Sequence, residues 1–216
     1  MELISVNLGK QQYLQTAGGG EMTGIYKLPT PEAVELTTGG LAGDAVCNTQ
    51  HHGGPDQAVY IYGGVDYAWW AGELGRVLPP GTFGENLTID GLESARFGIG
   101  DRLLINRVLL EVTAPRIPCG KLAARMGEAH FVKRFRAAER PGLYCRVLQP
   151  GWVQAGLGVT WQAYLGQTVS ILEMFRDYYR KDLDEPAIRR YLAAPIALRS
   201  RAEYEQALAR LASRDF

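Results

Sequence analysis

The stretch APRIPCGKL, residues 114–122, sets Cys119 between Pro118 and Gly120, with Arg116 and Lys121 on either side. Proline fixes its own φ and restricts the residue before it, so Pro115 and Pro118 hold this loop stiff and aim the thiol in one direction. Two nearby cations favour thiolate over thiol, and a thiolate is both a nucleophile and a soft metal ligand. A free cysteine is equally at home as a small buried hydrophobe, and the local sequence leaves both readings open. Cys47 lies in a polar stretch and Cys145 in a strand-like run. Neither has such a basic setting, and both read as structural.

A second polar cluster is NTQHHGGPDQAVYIY, residues 48–62. Adjacent His51 and His52 point to opposite faces of an extended chain, so they are badly placed to share one metal. Either could hydrogen-bond a ligand while Gly53 and Gly54 let backbone approach it closely. The other reading is a polar turn, closed by Asp56 after Pro55, ahead of a core strand. A third cluster, PGTFGENLTIDGL at residues 80–92, holds Asn86, whose amide can donate and accept in one pocket; it also reads as a hairpin connection. GLAGD and FGIGD are turn signals of low specificity. No Walker loop, GxSxG or HExxH is present.

The elements that must position these residues follow from composition and pattern. The chain has 216 residues, 26 of them glycine, with 23 Lys and Arg against 23 Asp and Glu. That length suits one domain, or one with a small appendage. Zero net charge argues against a general nucleic-acid or anionic-membrane binder, and many glycines imply many turns between short strands. Three cysteines without a CxxC make a disulfide framework or a cysteine-rich zinc site a poor fit. The start MELISVNLGKQQYL lacks the apolar core of a signal peptide, and no run of apolar residues is long enough to span a membrane. The expectation is a cytoplasmic protein in a reducing compartment.

Residues 1–165 read mostly as strands and turns. EAVELTTGGLAGD reads as a strand and a glycine turn, QAVYIYGG as a β-branched and aromatic strand, and GDRLLINRVLLEVTAPR as two strands interrupted at Asn106. VDYAWWAGELG reads as a helix ending at Gly75. CGKLAARMGEAHFVKRFRAA reads as one helix if Gly127 is tolerated. From 166 onward three short helices are expected. Ile171, Met174, Phe175 and Tyr178 share a face, Pro186 starts a second helix behind Asp184, and Ser200 to Glu203 match a capping box for a third. Helices this short are not stable alone, so they should pack together, joined near Gly166.

Read in order, GLAGD, HHGGPDQAVYIY, GTFGENL, IGDRLLI, PRIPCGKL and RPGLYCRVLQPGWVQAG resemble the MOSC domain, named for the molybdenum cofactor sulfurase C-terminus. The likeness is to its stand-alone bacterial, YiiM-like branch. It covers roughly residues 1–165, and the trailing helices resemble a three-helix unit appended in that branch. The resemblance implies a mostly antiparallel β-barrel over residues 1–165, followed by a three-helix unit over 166–216. It implies that Cys119 bonds the molybdenum of a molybdopterin cofactor, with Lys27, Arg116 and Lys121 holding the anionic phosphate and the His51–Gly54 turn and Asn86 near the pterin. It also implies an enzyme reducing N-hydroxylated compounds, including purines, with electrons from an external donor protein, since the chain has no recognisable flavin or iron–sulfur motif. Two other readings stay open. One is a carrier that holds the cofactor, or sulfur on Cys119, without turnover. The other is a Cys–His hydrolase, which no signature around Cys119 favours.

Overall fold

The computed structural model describes residues 1–16, 19–47, 53–180 and 182–213. The first elements are strands β1 (Glu2–Gly9), β2 (Gln12–Thr16), β3 (Gly19–Thr23), β4 (Lys27–Thr30), β5 (Val34–Thr37) and β6 (Gly40–Leu41). Then come β7 (Val59–Gly63), helix α1 (Gly64–Leu74), β8 (Leu87–Asp90), β9 (Arg102–Ile105) and β10 (Val108–Pro115). Helices α2 (Gly120–Met126) and α3 (Phe131–Ala138) precede β11 (Leu143–Gln149), β12 (Gly151–Val153) and β13 (Val159–Gln162). The chain ends in α4 (Ile171–Asp177), α5 (Glu185–Ala193) and α6 (Leu198–Ala212).

Eight strands form one sheet in the order β13–β9–β10–β11–β7–β8–β1–β4. The expected closed antiparallel barrel is not found. The sheet is open and mixed, because β7 and β8 pair in parallel with α1 as their crossover. The sheet does curl: Leu3 N–H donates to Leu157 O at 2.9 Å and Val159 N–H to Met1 O at 2.9 Å. Among the described residues these bonds, with Gly156 N–H to Leu3 O at 2.8 Å, surround one isolated bridge, Glu2–Gly158, and form no strand ladder, since β1 is already paired with β8 and β4 and a turn at 155–156 precedes β13.

Alternation along the central strands sorts side chains into two cores. On β7, Val59 and Ile61 enter the cluster enclosed by the sheet, while Tyr60 and Tyr62 enter an aromatic cluster with Trp70, Phe83, Phe131 and Phe135. On β11, Leu143, Cys145 and Val147 join the first cluster and Tyr144 packs against the second. Helices α1 to α3 cover this second face, which is where the Cys119 loop lies.

The helix expected over residues 119–138 is two helices. Gly127 has φ 68° and caps α2, because a left-handed glycine ends a helix more readily than it continues one. The expected ends at Gly75 and Asp184 are found: Gly75 has φ 63°, and Asp184 accepts from Ala187 N–H with Pro186 in the first turn. The capping box at Ser200 is not. The third helix starts earlier, at Leu198, and its first N–H donates to Asp56 Oδ2 at 2.7 Å from far along the chain.

Candidate functional site around Cys119

Cys119 follows β10 directly and stands at the N-cap of α2, in extended backbone with φ −133° and ψ 175°. Its carbonyl accepts from Leu122 N–H at 3.0 Å, but its side chain makes no capping bond. The sulfur is therefore not committed to holding the helix, and the residue is part-exposed. Cys145 is the opposite case, fully buried on β11, where burial and then Glu111 push its thiol far above the ordinary range.

Two cavities meet at Cys119, with Lys121 and Tyr144 also shared between them. The inner pocket is polar at one end. Lys27 Nζ lies 2.5 Å from both Asp44 oxygens; burial drives its pKa down while Asp44 opposes the shift. Asp44 also accepts from Gly9 N–H at 2.7 Å and from Asn86 Nδ2 at 2.8 Å. Asn86 Oδ1 in turn accepts from Tyr60 N–H at 3.1 Å. The Asn86 amide thus ties the Asp44 turn to β7, using the donor and acceptor its type offers. The segment 44–47 packs this close because Gly24 lacks a side chain: a Cβ there would sit 2.0 Å from Ala45 O.

Arg116 is the feature that sets the electrostatics. It is 5% exposed, with its guanidinium 5.1 Å from the Tyr60 ring centroid. Its Nη1 finds no hydrogen-bond partner among the described residues. Burial opposes its charge, but Tyr60, Tyr144 and Cys119 around it raise its pKa on balance. Burial also raises the pKa of Tyr60 and Tyr144, so both remain neutral hydroxyls at physiological pH. Lys27 is neutralised by Asp44, and Lys121 by Glu21 at 3.0 Å. Arg116 has no such carboxylate among the described residues. A buried guanidinium with one nitrogen unsatisfied and no carboxylate beside it can accept an anionic group.

The structure thus brings together Cys119, Lys27, Asn86, Arg116, Lys121 and Gly53, the last with φ 77°. Gly54, with φ 80°, does not line the pocket. His51 and His52 lie outside the described residues. The remaining histidine, His130, is exposed at the start of α3 and lines neither cavity. Cys47, read as structural from its polar surroundings, lines the inner pocket as well. Asp44, Tyr60 and Tyr144 were missed. The signals that could have found them were the acid of GLAGD and the tyrosines alternating along two buried strands. Among the described residues no three His, Cys, Asp or Glu side chains cluster to hold a bare metal ion. No helix among them is long and apolar enough to cross a membrane.

Comparison with known proteins places this geometry. The chain is 35% identical over 191 residues to the protein YflK of Bacillus subtilis (strain 168), covering 88% of this chain and 86% of that one. It is 31% identical over 155 residues to the protein YiiM of Escherichia coli (strain K12), covering 70% and 68%. A protein named "Reductase" from Gibberella moniliformis is 33% identical over 180 residues, covering 79% of this chain but 29% of that one. The crystal structure of YiiM from Geobacillus stearothermophilus superposes with a TM-score of 0.78 at 25% identity, covering 96% of this chain and 98% of that one. That of YiiM from Escherichia coli superposes with a TM-score of 0.71 at 24% identity, covering 92% of each. The family model described as the MOSC domain matches residues 48–160, a span holding Cys119, Arg116 and the β7–β11 face beneath them. The chain therefore belongs to the MOSC domain family, and with it to proteins associated with the molybdenum cofactor.

Proposed function

We propose that this protein binds molybdopterin-type molybdenum cofactor at Cys119 and reduces N-hydroxylated compounds, N-hydroxylated purines among them, to amines. The observation that carries the reading is the buried Arg116, whose Nη1 has no partner among the described residues in the pocket it shares with Cys119. The residues present fit the group. The Cys119 sulfur is available to a metal, and Arg116 to an anionic phosphate, with Lys27 and Lys121, each already paired with a carboxylate, as further polar contacts. The inner pocket encloses about 100 Å³, room for the anionic end of such a group and not for all of it. Gly53 lets backbone approach. His51, His52 and Gly54 are proposed as cofactor contacts on sequence grounds alone.

When bound, the cofactor supplies two-electron chemistry at a thiolate-held metal. The chain's own residues bind and orient. Cys119 fixes one ligand direction through its rigid loop, Arg116 takes the anion from its buried position, and Tyr144 lines both cavities. The net change is cleavage of one N–O bond with two electrons and two protons, giving an amine and water. The electrons come from a separate donor protein and the protons from solvent in the outer groove. The similarity to a protein named as a reductase supports this direction. A second reading is a cofactor or sulfur carrier, favoured by the part-exposed Cys119 opening onto that groove.

Loaded protein assayed with a chemically reduced dye and an N-hydroxylated purine should form the amine. Cys119→Ala should lose that turnover, while Cys145→Ala should keep it. Loaded wild type that passes its cofactor to an acceptor without turnover would replace the enzyme reading with the carrier.

A further inference from the structure

We infer that the groove outside Cys119 is the substrate site, and that Tyr178 of the C-terminal helical unit is the surface on which a planar aromatic N-hydroxylated substrate stacks. This rests on the function proposed above. The groove encloses about 660 Å³, within the range of small-molecule sites. It shares Cys119, Lys121 and Tyr144 with the inner pocket, so a reacting centre held at Cys119 faces both.

The two cavities differ in charge. Arg116 leaves the inner pocket with an unbalanced cation, whereas the groove carries Lys121 and Arg199 against Glu21 and Glu203. An anion is drawn inward, and a neutral planar molecule is left to the groove. The walls suit that shape. Pro118, beside Cys119, lines the groove, and so do Tyr178 and Tyr204 of the C-terminal helices. The Tyr204 ring is stacked on Tyr191, with centroids 4.8 Å apart and planes 10° apart, and is thereby fixed. Tyr178, at the end of α4, is 61% exposed and meets Tyr179 at right angles, 5.2 Å between centroids. It therefore presents an aromatic surface to the groove without being stacked on a described neighbour. Tyrosine loses little conformational entropy when it binds a ring.

The test uses adenine, the amine product of an N-hydroxylated purine, titrated calorimetrically into the full-length protein as purified. Tyr178→Ala should weaken adenine binding about tenfold, and Tyr178→Phe should keep it within about twofold, since the π-face carries the contact. In loaded protein, Tyr178→Ala should retain its molybdenum. Its preference for an N-hydroxylated purine over hydroxylamine should fall by about the same tenfold factor. Unchanged adenine binding in Tyr178→Ala, or none by wild type at millimolar concentration, would overturn the assignment. Loss of molybdenum in Tyr178→Ala would also overturn it, by making this wall a cofactor contact. The two proposals fail separately. Adenine held through Tyr178 in a protein that never takes up molybdenum keeps the groove and removes the enzyme. Turnover indifferent to Tyr178 does the reverse.

Discussion

Cys119 and Cys145 show how position decides what one side chain can do. Cys145 faces the sheet interior with no exposure, and burial holds it as a neutral thiol. Cys119 ends a proline-stiffened loop and opens on two cavities. Native protein treated with iodoacetamide and digested should be labelled at Cys119 and unlabelled at Cys145 until it is denatured; equal labelling in the native state would contradict the burial described. Arg116 allows a sharper test, because it is buried with one guanidinium nitrogen unsatisfied and no carboxylate beside it among the described residues. Desolvation costs several kcal/mol, roughly, and its contact with Tyr60 returns about 2 kcal/mol. Arg116→Met should therefore leave the stability of the cofactor-free protein within about 1 kcal/mol while reducing cofactor retention. A large loss in a denaturant melt would show that Arg116 is a packing residue. Cys119 was legible because everything that marks it lies within nine residues. Asp44, Tyr60 and Tyr144 were not, since alternation names a face of a strand but not what packs against it.

Local signals placed the elements wherever the cause was local. Asp184 and Pro186 start α5 as their spacing predicts. The start of α6 is set by tertiary structure instead. Asp56, in the turn before β7, accepts from Leu198 N–H at 2.7 Å and lies 3.1 Å from Arg146 Nε. Arg146 Nη2 in turn donates to Pro195 O and Ile196 O. Asp56→Ala should cost about 1–2 kcal/mol through loss of a cap. Faster hydrogen exchange should follow over the first turn of α6. Ser200→Ala should stay within about 0.5 kcal/mol, as expected for a substitution away from a cap or core contact. Reversed magnitudes in paired melts would restore the capping box that the sequence suggested. The break at Gly127 has a similar lesson: the apolar spacing of Leu122, Met126 and Phe131 continues across it, but the backbone turns left-handed there.

For the whole molecule, the sheet curls without closing, and the C-terminal helices share its core. Val169, Ile171, Met174, Tyr191 and Ile196 belong to the same cluster as the strands, and Phe175 reaches the aromatic one. Burial of side chains of this size contributes about 1.5–3 kcal/mol each. Their sum rivals a net stability of about 5–15 kcal/mol. A chain ending at Gly166 should therefore aggregate or melt without a cooperative transition. A folded, cofactor-loaded truncation that accepts electrons from a dye but poorly from a protein donor would instead make the helices a docking device. The antiparallel barrel was the expectation carried by resemblance; one parallel pair makes the sheet mixed, and an isolated bridge in place of a strand ladder leaves it open, and no local pattern encodes either. The central claim is that Cys119 and Arg116 face a cofactor. It is tested most directly by measuring molybdenum and pterin in full-length protein made in a host that assembles molybdopterin. Wild type should contain both in near-equal amounts and Cys119→Ala should lack the metal. Wild type without either, even after reconstitution with free cofactor, would contradict it.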